Sequence, residues 1–261
     1  MAEYETLLYE ETGAVAWVTL NRPDRHNSFN SKMAEEIHAV WRGLRVNDDI
    51  RCIVLTGAGD KAFCTGIDRN EDVPQPSSPF MIDDPGNQLG PKSAELWKPV
   101  IAAVNGMACG GAFYFLGEVE FTIAADNAAF FDPHVTYGMA AAFEPILMRQ
   151  YMPFAEIMRL SLMGNHERMS AERAREIGLV SEVVALADLR PRAGEVAATI
   201  ASQPTIAVQG TIRALWAAME MTRTQALKMA DAIVTLGNQP ESIEEGLATF
   251  RSGNRIEWKL R

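Results

Sequence analysis

The sequence predicts an α/β fold with a parallel sheet, on the evidence of three stretches. Residues 14–20 (Ala14-Val15-Ala16-Trp17-Val18-Thr19-Leu20) are rich in β-branched and aromatic side chains and stop at the turn cluster Asn21-Arg22-Pro23-Asp24. Residues 31–46 repeat apolar side chains at helical spacing (Met33, Ile37, Val40, Trp41, Leu44), with Ser28 or Asn30 as N-cap. Residues 50–56 hold Cys52-Ile53-Val54-Leu55 ahead of Gly57-Ala58-Gly59-Asp60, which suits a buried parallel strand. Strand, helix, strand in that order calls for a right-handed crossover.

The pattern continues along the chain. Pro74, Pro76, Pro79, Pro85 and Pro91 fall among serines and glycines, which predicts an extended mobile loop over 72–91. It is not a domain linker, because the strand pattern resumes at once with Val100-Ile101-Ala102-Ala103-Val104. Phe121-Thr122-Ile123-Ala124-Ala125 is the next strand, and Cys109-Gly110-Gly111-Ala112 opens an apolar helix between the two that runs to Leu116. From Ala155 onward the spacing is helical. Ser170 starts one helix, Gly178 ends it, and a short strand follows over 179–184. Residues 189–200, 205–221, 224–236 and 241–250 read as a helical tail, so the chain divides into a core of 1–195 and a helical region of 196–261. Ile206, Ile212, Leu215 and Trp216 exceed what one face packed on a single layer needs, which predicts self-association through that tail.

Composition narrows the function. A chain of 261 residues with 48% apolar and 22% charged side chains can bury a core without disulfides or a structural metal. The 24 basic against 34 acidic residues give a net charge of −10, which disfavours nucleic acid as a partner. An anionic small molecule remains compatible, held by a local basic patch. Cys52, Cys64 and Cys109 form no CxxC pair, so neither a disulfide framework nor a zinc site is expected. The N-terminus has no basic and apolar leader, and the longest apolar run is broken by Asn105 and glycines. The expectation is a cytoplasmic, reduced enzyme or binding protein with no membrane, nucleic-acid or metal partner.

Two stretches offer backbone donors to an oxygen. One is Ala62-Phe63-Cys64-Thr65-Gly66-Ile67-Asp68, a strand end running into a glycine turn. The other is Asn105-Gly106-Met107-Ala108-Cys109-Gly110-Gly111-Ala112, a glycine pair opening a helix. N–H groups at such a helix start are unpaired and lie along a favourable dipole. One donor from each stretch could polarise a carbonyl oxygen as it gains charge, although helix packing explains a Gly-Gly pair about as well.

Taken together, these segments resemble the crotonase (enoyl-CoA hydratase/isomerase) superfamily over nearly the whole chain. Leu20-Asn21-Arg22-Pro23 with Asn27-Ser28-Phe29 is similar to that family's first strand and acyl-CoA loop. Lys61 to Asp68 and Pro99 to Gly106, with Gly110-Gly111 after it, are similar to its two oxyanion-hole segments. Residues 162–180 and Glu245-Gly246-Leu247-Ala248-Thr249-Phe250 follow in its order. The resemblance implies a fold of stacked β-β-α turns with a helical C-terminal trimerisation region, assembled as a homotrimer or a dimer of trimers. It implies an acyl-CoA thioester substrate, no cofactor beyond the coenzyme A of the substrate itself, and a carbonyl held by the N–H groups of Ile67 and Gly111. Arg25 and Arg255 are the candidates for the adenosine phosphates, and the C-terminal region for lid and CoA contacts. Cys64 and Asp68 join the substrate-binding candidates, with Asp68 also suited to capping a following helix.

The sequence also departs from the family. Its hydratases use a pair of glutamates, and those positions here fall on Tyr114 and His134. A phenol and an imidazole do not replace two carboxylates without changing the proton inventory. His134 is a candidate base near neutral pH, and Glu144, ten residues on, is its candidate companion. Tyr114, between Phe113 and Phe115, either packs or hydrogen-bonds substrate. The expected function is an isomerase or lyase working through an oxyanion-stabilised enolate. Two alternatives stand beside it: a hydrolase of the carbon–carbon bond of a β-diketone, and a non-catalytic acyl-CoA binder. In such hydrolases of the superfamily the acid aligns one residue earlier, on Phe143.

Overall fold

The computed structural model describes residues 4–70, 78, 84–253 and 256–260. The chain forms two compact units, residues 1–198 and 199–261. In chain order the first unit contains β1 (Leu7–Thr12), β2 (Val15–Leu20), α1 (Ser31–Val46), β3 (Cys52–Gly57), β4 (Ala62–Cys64) and β5 (Val100–Val104). After these come β6 (Met107–Cys109), α2 (Ala112–Leu116), β7 (Phe121–Ala125), β8 (Ala129–Phe131), α3 (Phe143–Leu147) and α4 (Phe154–Met163). It closes with β9 (Met169–Ser170), α5 (Ala171–Glu176), β10 (Glu182–Val184) and α6 (Leu186–Ala201), which runs into the second unit.

Two sheets organise this unit. The larger has the order β1-β2-β3-β5-β7-β10; only β1 and β2 are antiparallel, and the other pairs are parallel. Strands β2, β3 and β5 are buried on both faces, which is why they read as continuous apolar runs and not as alternation. The smaller sheet, β4-β6-β8-β9, consists of strands of two or three residues.

Helix α1 covers the expected residues, and its cap is Asn30, whose side chain accepts from the Met33 N–H at 2.9 Å. Its apolar stripe of Met33, Ile37, Val40, Trp41 and Leu44 is fully buried. Ser170 caps α5 by accepting from the Arg173 N–H. The proline-rich segment differs from its expectation in part. Residues 71–77 and 79–83 lie outside those described, but the stretch after them is packed: the Trp41 indole donates to the Leu89 carbonyl at 2.8 Å, and Leu89 and Leu96 are wholly buried. Leu89, between Gly86 and Pro91, anchors residues 84–91 where a mobile loop was expected.

The second unit is helical: α7 (Thr205–Met219), α8 (Arg223–Gly237) and α9 (Pro240–Arg251). Thr222 and Gln225 form a reciprocal capping box at the start of α8. Gly210 on α7 lies against Gly237 at the end of α8, where a Cβ on either would meet the other's Cα at van der Waals contact. Leu215, Leu227, Val234 and Phe250 remain exposed. No helix among the described residues is long and apolar enough to cross a membrane.

Candidate active site

Two buried asparagines fix the turn from which the first site segment departs. The Asn27 side-chain amide donates to the carbonyls of Ala58 and Ala62 and accepts from the Arg22 N–H. Asn105 donates to the carbonyls of Gly59 and Ala62 and accepts from the Gly57 N–H. Buried polar backbone must find partners, and these two side chains supply them between β3 and β4.

Beyond β4 the chain makes a single parallel bridge, Phe29 to Ile67. The Phe29 N–H donates to Gly66 O at 2.9 Å and the Asp68 N–H donates to Phe29 O at 2.8 Å, so the intervening Ile67 N–H faces the other way. On the second segment, Gly110 donates to Phe131 O and turns at φ +52°, which brings Gly111 to the start of α2. Neither the Ile67 nor the Gly111 N–H has an acceptor among the described residues. The two segments touch through glycines. A Cβ on Gly66, which sits at φ +82°, would stand 2.9 Å from the Gly111 nitrogen, and one on Gly111 would strike the Phe29 ring. Absence of side chains is what keeps this pair of donors open.

A second group of residues lies beside this glycine step. Strand β8 ends in Asp132-Pro133, and residues 134–137 form a 3-10 turn. Asp132 Oδ1 accepts from the His134 backbone N–H at 3.1 Å and meets His134 Nδ1 at 2.5 Å. His134 Nε2 lies 3.3 Å from Glu144 Oε1, in the first turn of α3. Asp132 and Glu144 are buried, at 1% and 5% exposure, while the imidazole is partly open. A Cβ on Gly110 would lie 3.7 Å from His134 Cε1, so the ring adjoins the donor segment.

The hydrogen bond to Asp132 holds the His134 pKa above its ordinary value against the opposing effect of burial; Glu144 adds to the rise and Arg69 opposes it. Burial raises the Glu144 carboxyl, with His134 pulling the other way. With Nδ1–H committed to Asp132, a neutral imidazole presents a lone pair to Glu144. Contact at 3.3 Å is then favourable only if one proton lies between Nε2 and Oε1. Each group's charge acts on the other's proton affinity.

The remaining candidates fall around these groups. Tyr114 is buried on α2, with its ring against Gly86. Burial, then the Glu144 charge, then the Asp84 carboxylate push its pKa far up, so it remains a phenol. Asp68 does not cap a helix in the described residues. It pairs with Arg22 at 2.9 Å and accepts from Asn70 in a turn, and Arg22 also donates to Ser28 O. That pairing fastens the 22–28 loop to the Ile67 segment. Burial raises the Asp68 carboxyl, but the Asn70 and Arg22 bonds outweigh it and leave its pKa low. The Cys64 thiol is wholly enclosed, with its pKa pushed up to about 12. Arg25 is exposed and makes no ion pair among the described residues. Arg255 lies outside those residues. Asp132 was not singled out from the sequence; the signal was a carboxylate two residues before His134, across a proline.

Comparison with known proteins gives the lineage. The family model described as enoyl-CoA hydratase/isomerase matches residues 10–261. An (E)-benzylidenesuccinyl-CoA hydratase from Thauera aromatica is 33% identical over 245 residues, covering 92% of this chain and 94% of that protein. A 1,2-epoxyphenylacetyl-CoA isomerase from Escherichia coli is 33% identical over 253 residues, covering 94% and 95%. The crystal structure of an enoyl-CoA hydratase/isomerase from Mycobacterium paratuberculosis matches with a TM-score of 0.88 at 33% identity, covering 99% of this chain and all of that one. With its two sheets and helical C-terminal unit in the crotonase arrangement, the chain belongs to the enoyl-CoA hydratase/isomerase family.

Proposed function

We propose that the protein is an acyl-CoA isomerase or lyase whose proton carrier is the His134–Glu144 pair. The observation that carries this reading is the Asp132–His134–Glu144 string beside two unengaged backbone donors. The thioester carbonyl accepts from the Ile67 and Gly111 N–H groups, which stabilise charge as it develops on oxygen. In the state of the pair that carries no proton between Nε2 and Oε1, His134 Nε2 takes the α-proton, and the C–H electron pair becomes the enolate. Asp132 keeps the proton on Nδ1 and steadies the imidazolium, and Glu144 shares the transferred proton. Arg25 and Arg255 would meet the adenosine phosphates, and Tyr114 would donate to the acyl group. The relatives named above act on CoA thioesters by their names, which supports this substrate class. The C-terminal helices, with their exposed apolar side chains, would join copies as a trimer or a dimer of trimers; a monodisperse monomer at micromolar concentration would contradict that assembly.

The test is turnover of a panel of acyl-CoA thioesters and cyclic β-diketones. Because Tyr114 and His134 stand at the glutamate positions, crotonyl-CoA hydration should be negligible, since one positioned acid–base group is worth about 10²–10⁴ in rate. Hydration at the rates of ordinary hydratases would overturn the reading. The variant Tyr114→Glu with His134→Glu should gain hydration. Cleavage of β-diketones would move the assignment to the hydrolase alternative, which the imidazole–carboxylate contact also suits.

A further inference from the structure

Arg69 is a cation beside the site with no anion among the described residues. It stands two residues beyond the Ile67 donor, and its side chain crosses to the turn that carries His134. Its Cζ lies 4.0 Å from the centre of the Tyr137 ring, and Nη2 lies 4.0 Å from Met139 Sδ. Tyr137 ends the 3-10 turn that His134 begins, and Gly138, at φ +73°, bends the chain back so that the Met139 N–H donates to the His134 carbonyl.

The carboxylates nearby are committed to other groups. Asp68 holds Arg22 with Oδ2 and Asn70 with Oδ1, while Asp132 Oδ1 and Glu144 Oε1 meet His134. That leaves Arg69 a thioether, a weak acceptor for a group with five N–H donors. Stacking on Tyr137 sets the plane of the guanidinium and leaves its edge free. Water could serve an exposed arginine anywhere on the surface. This one borders the space that the proposed thioester occupies, between the Ile67 N–H and the His134 imidazole, and its charge acts on that imidazole.

We propose that Arg69 receives a second carboxylate on the acyl group, so that the substrate is the CoA thioester of a dicarboxylic acid. The free edge of the guanidinium donates two parallel N–H bonds to the two carboxylate oxygens. With the carbonyl held by Ile67 and Gly111 and the far end held by Arg69, the acyl chain is fixed at both ends and its α-carbon is presented to His134. The inference deepens the proposed function and rests on its acyl-CoA substrate.

The test is binding, read by calorimetry with succinyl-CoA and glutaryl-CoA and with the terminal amide of each, which keeps the shape and removes the charge. The unaltered protein should bind the better of the two acids about tenfold or more tightly than its amide. Arg69→Met should bring that ratio close to one, and Arg69→Lys, which keeps the charge but not the fork, should fall between. Arg168→Met is the control: Arg168 stacks on Phe131 at 4.4 Å and is not among the charges acting on His134, so its loss should leave the ratio in place. Any general disturbance of the site by a variant weakens acid and amide alike and cancels in the ratio.

A ratio near one in the unaltered protein would overturn the inference, as would a ratio that survives Arg69→Met. So would an Arg69→Met protein that loses as much affinity for free CoA as for the acid thioesters, because the guanidinium would then meet the phosphates of CoA. Binding is read without turnover. An acid preference that depends on Arg69, with no α-proton exchange in D2O, would keep the carboxylate site and remove the enolate reading. Exchange that passes through His134, with acid and amide bound equally, would do the reverse.

Discussion

The backbone half of the site and its side-chain half are built by different means. The Ile67 and Gly111 donors are fixed by strand ends, a one-residue bridge and glycines that admit no Cβ between them. The His134–Glu144 half hangs on a 3-10 turn and a five-residue helix, with exposed residues at 135–140 and only a carboxylate to orient the ring. One half is rigid and tolerates no added atom. The other is made of side chains, and changing them should alter the proton chemistry without moving the donors. On the proposed function, the first half would fix where charge develops and the second would decide what becomes of the proton.

If that division holds, each half should fail in its own way. Replacing His134 by Ala should cost about 10²–10⁴ in turnover, while the affinity for a non-reacting acyl-CoA stays within a few-fold, read by calorimetry. Gly66→Ala should cost about 10²–10³, because its Cβ would crowd the Gly111 nitrogen at a positive φ. Its His134 titration should be unchanged, so a shifted midpoint would break the separation of the halves. Glu144→Gln should lose less than His134→Ala. The double variant should lose little more than His134→Ala alone, as for two residues acting as a unit; fully additive losses in turnover would contradict a shared proton.

The smallest effect is on stability. Both Glu144 and His134 have folded-state pKa values above their ordinary values of 4.5 and 6.5. Between its unfolded and folded values each group binds more protons in the folded protein, so stability is full below that window and declines as pH rises through it. Urea unfolding from pH 4 to pH 9 should show this decline, and Glu144→Gln should flatten it. An unchanged slope in the variant would mean that the buried carboxylate does not titrate with folding.

What the sequence disclosed divides along similar lines. The buried strands over residues 15–20, 52–57, 100–104 and 121–125 and helix α1 were legible because long periodic or wholly apolar runs have one reading. The second sheet was not legible, since strands of two or three residues carry no period. Ile67 and Gly111 could be picked out from glycine patterns together with the family resemblance. The pairing of His134 with Glu144 was legible as proximity along the chain, but Asp132 was not. Its role depends on a turn that folds a carboxylate back two residues, and no periodicity announces such a turn. The clamp between Arg22 and Asp68 was hidden because its partners lie 46 residues apart.

The central claim is that backbone donors hold an enolate whose proton passes through His134. It is tested most directly by incubating an acyl-CoA thioester in D2O and following deuterium at the α-carbon by mass spectrometry. The unaltered protein should exchange that proton faster than solvent alone, and His134→Ala should bind the thioester yet exchange it no faster than solvent. Equal exchange by both proteins would show that the imidazole does not carry the proton. No exchange by either would mean that no enolate forms.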